Sequence, residues 1–172
     1  MRLFGLIGYP LTHSFSKDYF GEKFKTEAVK DCRYENFQLA NITELPKIIE
    51  DHPDLEGLNV TIPYKESVLS FLDEKNELVR QTGACNCIKI MNGKLVGFNT
   101  DVIGFENHSL LNFKPEHKNA LILGTGGAAK AVEFVLKKNQ IHYTYVSRRR
   151  SQNNITYEQL TPICSGNNQI DH

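Results

Sequence analysis

The feature that most constrains this chain is a glycine loop set between an apolar strand and a helix. Ala120-Leu121-Ile122-Leu123 runs straight into Gly124-Thr125-Gly126-Gly127-Ala128-Ala129, and Ala131, Val132, Phe134 and Val135 follow at helical spacing. In such a loop Gly124 permits the tight turn and Gly126 lets backbone amides approach a pyrophosphate. A small residue at Ala129 lets helix and strand pack closely. The helix N-terminus adds exposed N–H groups and a partial positive charge. Alone, the pattern also fits an ordinary strand–turn–helix. The next strand sharpens it, because it ends in Val146-Ser147-Arg148-Arg149-Arg150. Sites selective for NAD place Asp or Glu there to bind the ribose 2′-hydroxyl. Arginines instead suit a 2′-phosphate, so the expected cofactor is NADP(H).

The rest of the chain alternates strand and helix in the same way. Leu3–Gly8 reads as a buried strand stopped by Pro10, and Ser16 as the N-cap of a helix through Tyr19, Phe20 and Phe24. Tyr34–Leu39 reads as a second strand. Thr43 is the expected cap of a helix carrying Leu45, Ile48 and Ile49. Gly57–Ile62 reads as a third strand, with Pro63 in the first turn of a following helix. Ala84–Met91 and Lys94–Phe98 flank Asn92-Gly93, a type I′ hairpin signal. A helix over 101–111, the Gly-loop unit and a strand over 142–146 complete the pattern. The expected fold is α/β, with an N-terminal, mainly parallel α/β domain over 1–101 and an incomplete Rossmann domain over 102–172.

Charge and composition exclude several classes. The 172 residues carry 20 basic and 20 acidic side chains, with no run long and apolar enough to span a bilayer. Pro10 arrives before a secretory core could form. Neutrality hides an asymmetry: residues 1–117 are net −4, whereas 118–150 hold seven basic groups and one acid, net +6. A basic block in a neutral chain points to a local anionic ligand rather than a nucleic acid. Cys32, Cys85, Cys87 and Cys164 form no CxxC pair and read as reduced, buried thiols. The six histidines form no zinc spacing, so no metal is expected. The expectation is a cytoplasmic protein acting on small molecules.

The polar residues of the first half gather where strands end. Ser14 and Ser16 follow the first strand, Asn59, Thr61 and Lys65 surround the end of the third, and Asn86 lies in the next. Asn99-Thr100-Asp101 closes the hairpin. In open α/β sheets, ligands collect at the carboxyl ends of strands. Singly, each residue has a structural explanation: Lys65 as a solvated lysine, Asp101 as a helix-start acid, Asn86 as a partner for buried backbone.

Together these residues resemble the shikimate dehydrogenase family. The resemblance is carried by Gly8-Tyr9-Pro10 with His13-Ser14-Phe15-Ser16, Asn59-Val60-Thr61-Ile62-Pro63-Tyr64-Lys65, Gly83-Ala84-Cys85-Asn86, Gly97–Gly104 and Gly124–Ala128, in the family's order. It implies NADPH-dependent, reversible reduction of 3-dehydroshikimate to shikimate on the route to aromatic amino acids and chorismate. It implies that Ser14 and Ser16 hold the substrate carboxylate and that Thr61, Asn86 and Asp101 contact ring hydroxyls, with Asn59 also at the substrate. Lys65 and Asp101 are then the catalytic pair, and Gly124, Thr125, Gly126, Gly127, Ala128, Ser147, Arg148 and Arg149 hold NADP. The resemblance implies a monomer or homodimer.

Two positions depart from the family pattern: Cys87 replaces a common Thr, and Ser147-Arg148-Arg149 replaces Asn-Arg-Thr. Family members also continue well past a single βαβ unit, so the 172 residues are expected to be C-terminally incomplete. Two alternatives follow from that: a non-catalytic fragment that keeps shikimate and nucleotide binding, and a quinate/shikimate dehydrogenase of broader range.

Overall fold

Six strands form the sheet of the first unit: β1 (Arg2–Gly8), β2 (Cys32–Gln38), β3 (Leu55–Val60), β4 (Glu74–Lys75), β5 (Cys87–Met91) and β6 (Lys94–Phe98). Their spatial order is β2-β1-β3-β5-β6-β4. The computed structural model describes residues 1–151 and 153–160; Cys164 lies outside them. β1 is central to the left half and pairs in parallel with both β2 and β3. Its nearly continuous apolar run, Leu3 to Ile7, suits a strand covered on both faces. β5 runs antiparallel to β3 and β6, and β4 pairs in parallel with β6. Three of the five pairings are parallel, so the sheet is mainly parallel as expected, and the antiparallel pairings flank β5.

One face carries the main core. Leu3 and Ile7 of β1 meet Leu58 and Val60 of β3 and Ile88 of β5 there. Leu39, the helix α2 (Leu45–Asp51) through Leu45, and the helix α3 (Glu77–Thr82) through Val79 close over them. Glycines permit close approach in this layer. A Cβ at Gly5 would lie 2.5 Å from the Phe37 ring and 2.7 Å from the Glu35 carbonyl oxygen, and that backbone atom cannot give way. On the other face the helix α1 (Ser16–Thr26) buries no residue completely and covers the sheet through half-buried Phe20 and Phe24. Phe20 stacks on Tyr34, centroids 4.5 Å apart and planes 15° from parallel. Beside α1 an open groove of about 580 Å³ is lined by Phe4, Tyr34, Asn59 and Phe98.

Several local expectations need correction. Phe15, not Ser16, is the N-cap of α1. Ser16 is its first helical residue, and the Ser14 hydroxyl accepts from the Ser16 N–H at 3.4 Å. Asn41, not Thr43, caps the α2 region: it forms a capping box with Glu44 around a 3₁₀ turn over Ile42–Glu44, and α2 starts beyond it. Pro63 opens no helix. It stands in a turn closed by the Tyr64 N–H on the Thr61 carbonyl (2.9 Å), and a 3₁₀ turn over Ser67–Phe71 follows. Cys32 and Cys87 are only half-buried, while Cys85 is buried; all three are free thiols. The Asn92-Gly93 turn has both φ angles positive, 52° and 74°, as a type I′ turn requires.

The helix α4 (Thr100–Asn112) leads into the second unit, which runs from Val102 onward. Here β7 (Asn119–Leu123), the helix α5 (Gly127–Lys138) and β8 (His142–Ser147) form the expected βαβ unit. A short strand β9 (Asn154–Thr156) extends it, pairing in parallel with β8, so the unit does not end at one βαβ. Ile122, Leu136 and Ile141 centre its core, packed by Ala120, Val132, Tyr143 and Tyr145. Among the described residues, no helix is long and apolar enough to cross a membrane.

A carboxylate ties α5 to β8. Glu133 accepts hydrogen bonds from the hydroxyls of Tyr143 (2.6 Å) and Tyr145 (2.8 Å), and pairs with Lys137 at 2.7 Å. Partial burial opposes its charge, but the bonds from Lys137 and the two tyrosines outweigh that and hold its pKa below the ordinary value. A depressed folded-state pKa contributes stability at neutral pH that is lost as pH falls below about 4.5 through the folded value. Unfolding free energies measured across that acid range are expected to fall more steeply for the native chain than for Glu133→Gln. Parallel curves would show that Glu133 carries none of the dependence.

Candidate functional site

The carboxyl ends of β1 and β3, with the segment leading into β5, place most of the expected residues. Lys65 lies just past β3, and its carbonyl accepts the Cys85 N–H at 2.7 Å. Asn86 is held on both sides: its carbonyl accepts from Val60 N (2.9 Å) and its N–H donates to the Phe98 carbonyl (3.1 Å). Backbone pairing thus brings the turn after β3 beside the segment before β5 before any side chain is considered.

Side chains complete the cluster. The Lys65 ammonium donates to Asp101 Oδ2 at 2.6 Å, with 15% and 31% of the two side chains exposed. The second oxygen of Asp101 accepts from Asn86 Nδ2 at 2.7 Å. Asn86 also accepts the Thr100 N–H through Oδ1 at 2.8 Å and contacts the Thr100 hydroxyl. It therefore satisfies an otherwise orphaned donor at the start of α4 while fixing the acid of the first turn. A pair this sheltered is screened less than a surface ion pair, and its geometry is held from three sides. It can present an oriented ammonium to a ligand oxygen.

Asn99 supports the arrangement from below. Only 1% exposed, it donates through Nδ2 to the Thr82 hydroxyl and the Ala84 carbonyl, each at 3.0 Å. That clamp sets where Thr100 and Asp101 emerge. Asn99 and Thr100 were visible in the sequence only as part of a motif, with no pattern to say that one is buried and the other exposed.

The other expected residues are arranged around this cluster without joining it. Ser14 and Ser16 sit at the start of α1, and Thr61 ends β3 with its N–H on the Ile7 carbonyl at 3.0 Å. Asn59 is bonded not to the lysine cluster but to Tyr34, whose hydroxyl donates to its Oδ1 at 2.8 Å. Nothing in the sequence pointed to Tyr34, since the contact reaches across an intervening strand. The buried Cys85 thiol lies beneath the site, and burial pushes its pKa up to about 11, so it stays neutral.

The second unit carries the other set. Gly124 has φ of +110°, and its N–H bonds to the Val146 carbonyl at 2.8 Å, tying the glycine loop to β8. Gly126 is the N-cap of α5 and offers no side chain to the first-turn amides. A Cβ at Gly124 or Gly126 would meet no atom within 4 Å, so the loop presents bare backbone to open space. Ser147 follows at the end of β8 and its hydroxyl accepts the Arg149 N–H at 3.4 Å. Arg148, Arg149 and Arg150 are exposed, and among the described residues no carboxylate pairs with them. Free amides at a helix N-terminus beside unpaired guanidinium groups are a donor set that fits a phosphorylated dinucleotide.

The chain is similar to known proteins along most of its length. Residues 6–88 match the family model described as the shikimate dehydrogenase substrate binding domain. A shikimate dehydrogenase (NADP(+)) of Methanococcus maripaludis strain C6 is 38% identical over 99% of this chain and 61% of its own length. A crystal structure of shikimate dehydrogenase 1 from Peptoclostridium difficile superposes with a TM-score of 0.82 at 33% identity, covering 93% of this chain and 62% of that one. A Thermus thermophilus shikimate 5-dehydrogenase in complex with NADP(H) and shikimate gives a TM-score of 0.73 at 29% identity over 86% of this chain and 56% of that one. The chain thus spans about three fifths of the length of the relatives it matches.

The glycine loop yields a direct test. Because φ at Gly124 lies where L side chains are strained, Gly124→Ala is expected to lower stability by about 1–3 kcal/mol although there is room for the methyl group. Denaturant unfolding measures it, and an unchanged midpoint would contradict the backbone conformation.

Proposed function

Because the chain belongs to the shikimate dehydrogenase family, we propose that it serves the NADPH-dependent, reversible reduction of 3-dehydroshikimate to shikimate. The observation that carries this reading is the sheltered 2.6 Å pair of Lys65 and Asp101, itself held by Asn86. Reduction of the ketone adds a hydride to the carbonyl carbon and a proton to its oxygen, giving the alcohol. Bound NADPH supplies the hydride. The chain's own work is on the oxygen. Lys65, oriented by Asp101, donates a hydrogen bond to the carbonyl, stabilises the negative charge that develops there and delivers the proton. In the reverse direction the same amine accepts the proton of the hydroxyl.

Binding divides by chemistry. The hydroxyls of Ser14 and Ser16 are donors for the substrate carboxylate, and Asn59, Thr61, Asn86 and Asp101 offer partners to ring hydroxyls. In the second unit Gly124, Thr125, Gly126, Gly127 and Ala128 receive the pyrophosphate. Ser147, Arg148 and Arg149 receive the 2′-phosphate. The first unit is in this reading the substrate domain and the second a partial NADP-binding domain. The balanced overall charge, with its +6 block at 118–150, favours small anionic ligands over nucleic acid. In the same reading the protein works in the cytoplasm as a monomer or homodimer.

Two measurements test the proposal. Lys65→Ala is expected to reduce shikimate-dependent formation of NADPH by about 10²-fold or more, the usual scale for an acid–base residue. An unchanged rate in a folded variant would remove Lys65 from the chemistry. The cofactor assignment is checked by titration: NADPH should bind more tightly than NADH, and Arg148→Gln with Arg149→Gln should erase the difference. Equal affinities in the native chain would sink the 2′-phosphate assignment.

A further inference from the structure

Tyr34 has no part in the reading above, yet its hydroxyl bonds a residue assigned to the substrate. It projects from β2 across β1 to reach Asn59 on β3, two strand spacings or about 9.6 Å away. Only 6% exposed, its ring is stacked on Phe20 and has little freedom to turn. The hydroxyl donates to Asn59 Oδ1 at 2.8 Å. Burial raises the phenol's pKa, so it remains a protonated donor at neutral pH.

An amide whose oxygen is already occupied must turn its NH₂ group the other way. Among the described residues, Asn59 Nδ2 has no partner of its own, so its two N–H donors are available to a ligand. We infer that Tyr34 is a positioning residue for the substrate: it locks the Asn59 amide with the NH₂ group outward, presetting its donors for a hydroxylated ligand. Without the phenolic hydroxyl the amide can rotate, and its oxygen then competes for the place of a donor. This inference rests on the substrate assignment proposed above, because Asn59 gains its meaning from it. It adds a residue that touches neither the reacting atoms nor the ligand.

Calorimetric titration of the 172-residue chain with shikimate tests it. Tyr34→Phe keeps the ring and its stacking but removes the hydroxyl. It is expected to weaken shikimate binding about three- to tenfold, the scale of one net hydrogen bond, with the melting temperature and NADPH affinity unchanged. On an Asn59→Ala background the same substitution should cost nothing further, since the effect acts through that amide. Equal affinity of Tyr34→Phe and the native chain, or an undiminished loss in the Asn59→Ala background, would overturn the inference. Should Tyr34→Phe fail to fold, the side-chain amide resonances of Asn59 in the native chain decide: they should shift and exchange more slowly on adding shikimate, and unperturbed resonances count against the role. Failure of the native chain to bind shikimate at all would be a different result, removing the substrate assignment and the inference with it.

Discussion

Everything chemical in the first unit depends on one side-chain amide. Asn86 stands where the segment before β5 crosses the end of β3, and it commits each of its hydrogen-bonding groups to residues 100 and 101. The backbone pairs Val60 with Asn86 and Cys85 with Lys65, so the lysine and the amide arrive together. The amide then captures the first turn of α4 and with it Asp101. A lysine in a turn would ordinarily be a mobile, solvated charge. Here it is 15% exposed and has one carboxylate oxygen to point at. The oriented ammonium therefore follows from strand order, and the acid is delivered by the helix that begins where the sheet ends.

Much of this was legible in the sequence, and the parts that were not share a cause. Short apolar runs and Gly or Pro stops located β1, β3 and β7, and Asn92-Gly93 announced its turn, because those signals are local. The Lys65–Asp101 couple was legible as a motif although the residues are 36 apart. The caps were misjudged by one or two positions. Ser16 and Thr43 are good capping residues, but Ser14 and Asn41 have the hydroxyl or amide at the correct distance from the first free N–H. β4 and β9 are two and three residues long and owe their existence to neighbours rather than to pattern. Tyr34 and Asn99 escaped notice because their roles are set by contacts across strands, which no single window of sequence contains.

The two units solve different physical problems with different means. The first packs a mixed sheet on both faces and uses neutral amides to orient one buried ion pair. The second is built around a loop with almost no side chains, where backbone amides and a helix end supply polarity and nearby arginines supply charge. Its own structural acid, Glu133, is committed to Tyr143, Tyr145 and Lys137 on the packed side. That leaves the guanidinium groups after β8 without an internal partner among the described residues. The basic block is thus divided: Lys137 and Lys138 are paired with Glu133 and Glu106, whereas the arginines after β8 face outward.

The way residues 60, 65, 85, 86 and 98 are joined has a consequence for sequence drift. Their joints are main-chain bonds or rest on main-chain position, so the identities of Val60, Cys85 and Phe98 are free to change so long as the replacements pack and can donate or accept along the backbone. Asn86 and Asn99 have no such latitude, because another side chain would release Asp101 in the first case and leave the buried Thr82 hydroxyl and Ala84 carbonyl unmatched in the second. A lineage could therefore rewrite most of the walls of this site while its geometry stayed put. The two asparagines, rather than Lys65 alone, are where tolerance to mutation should run out.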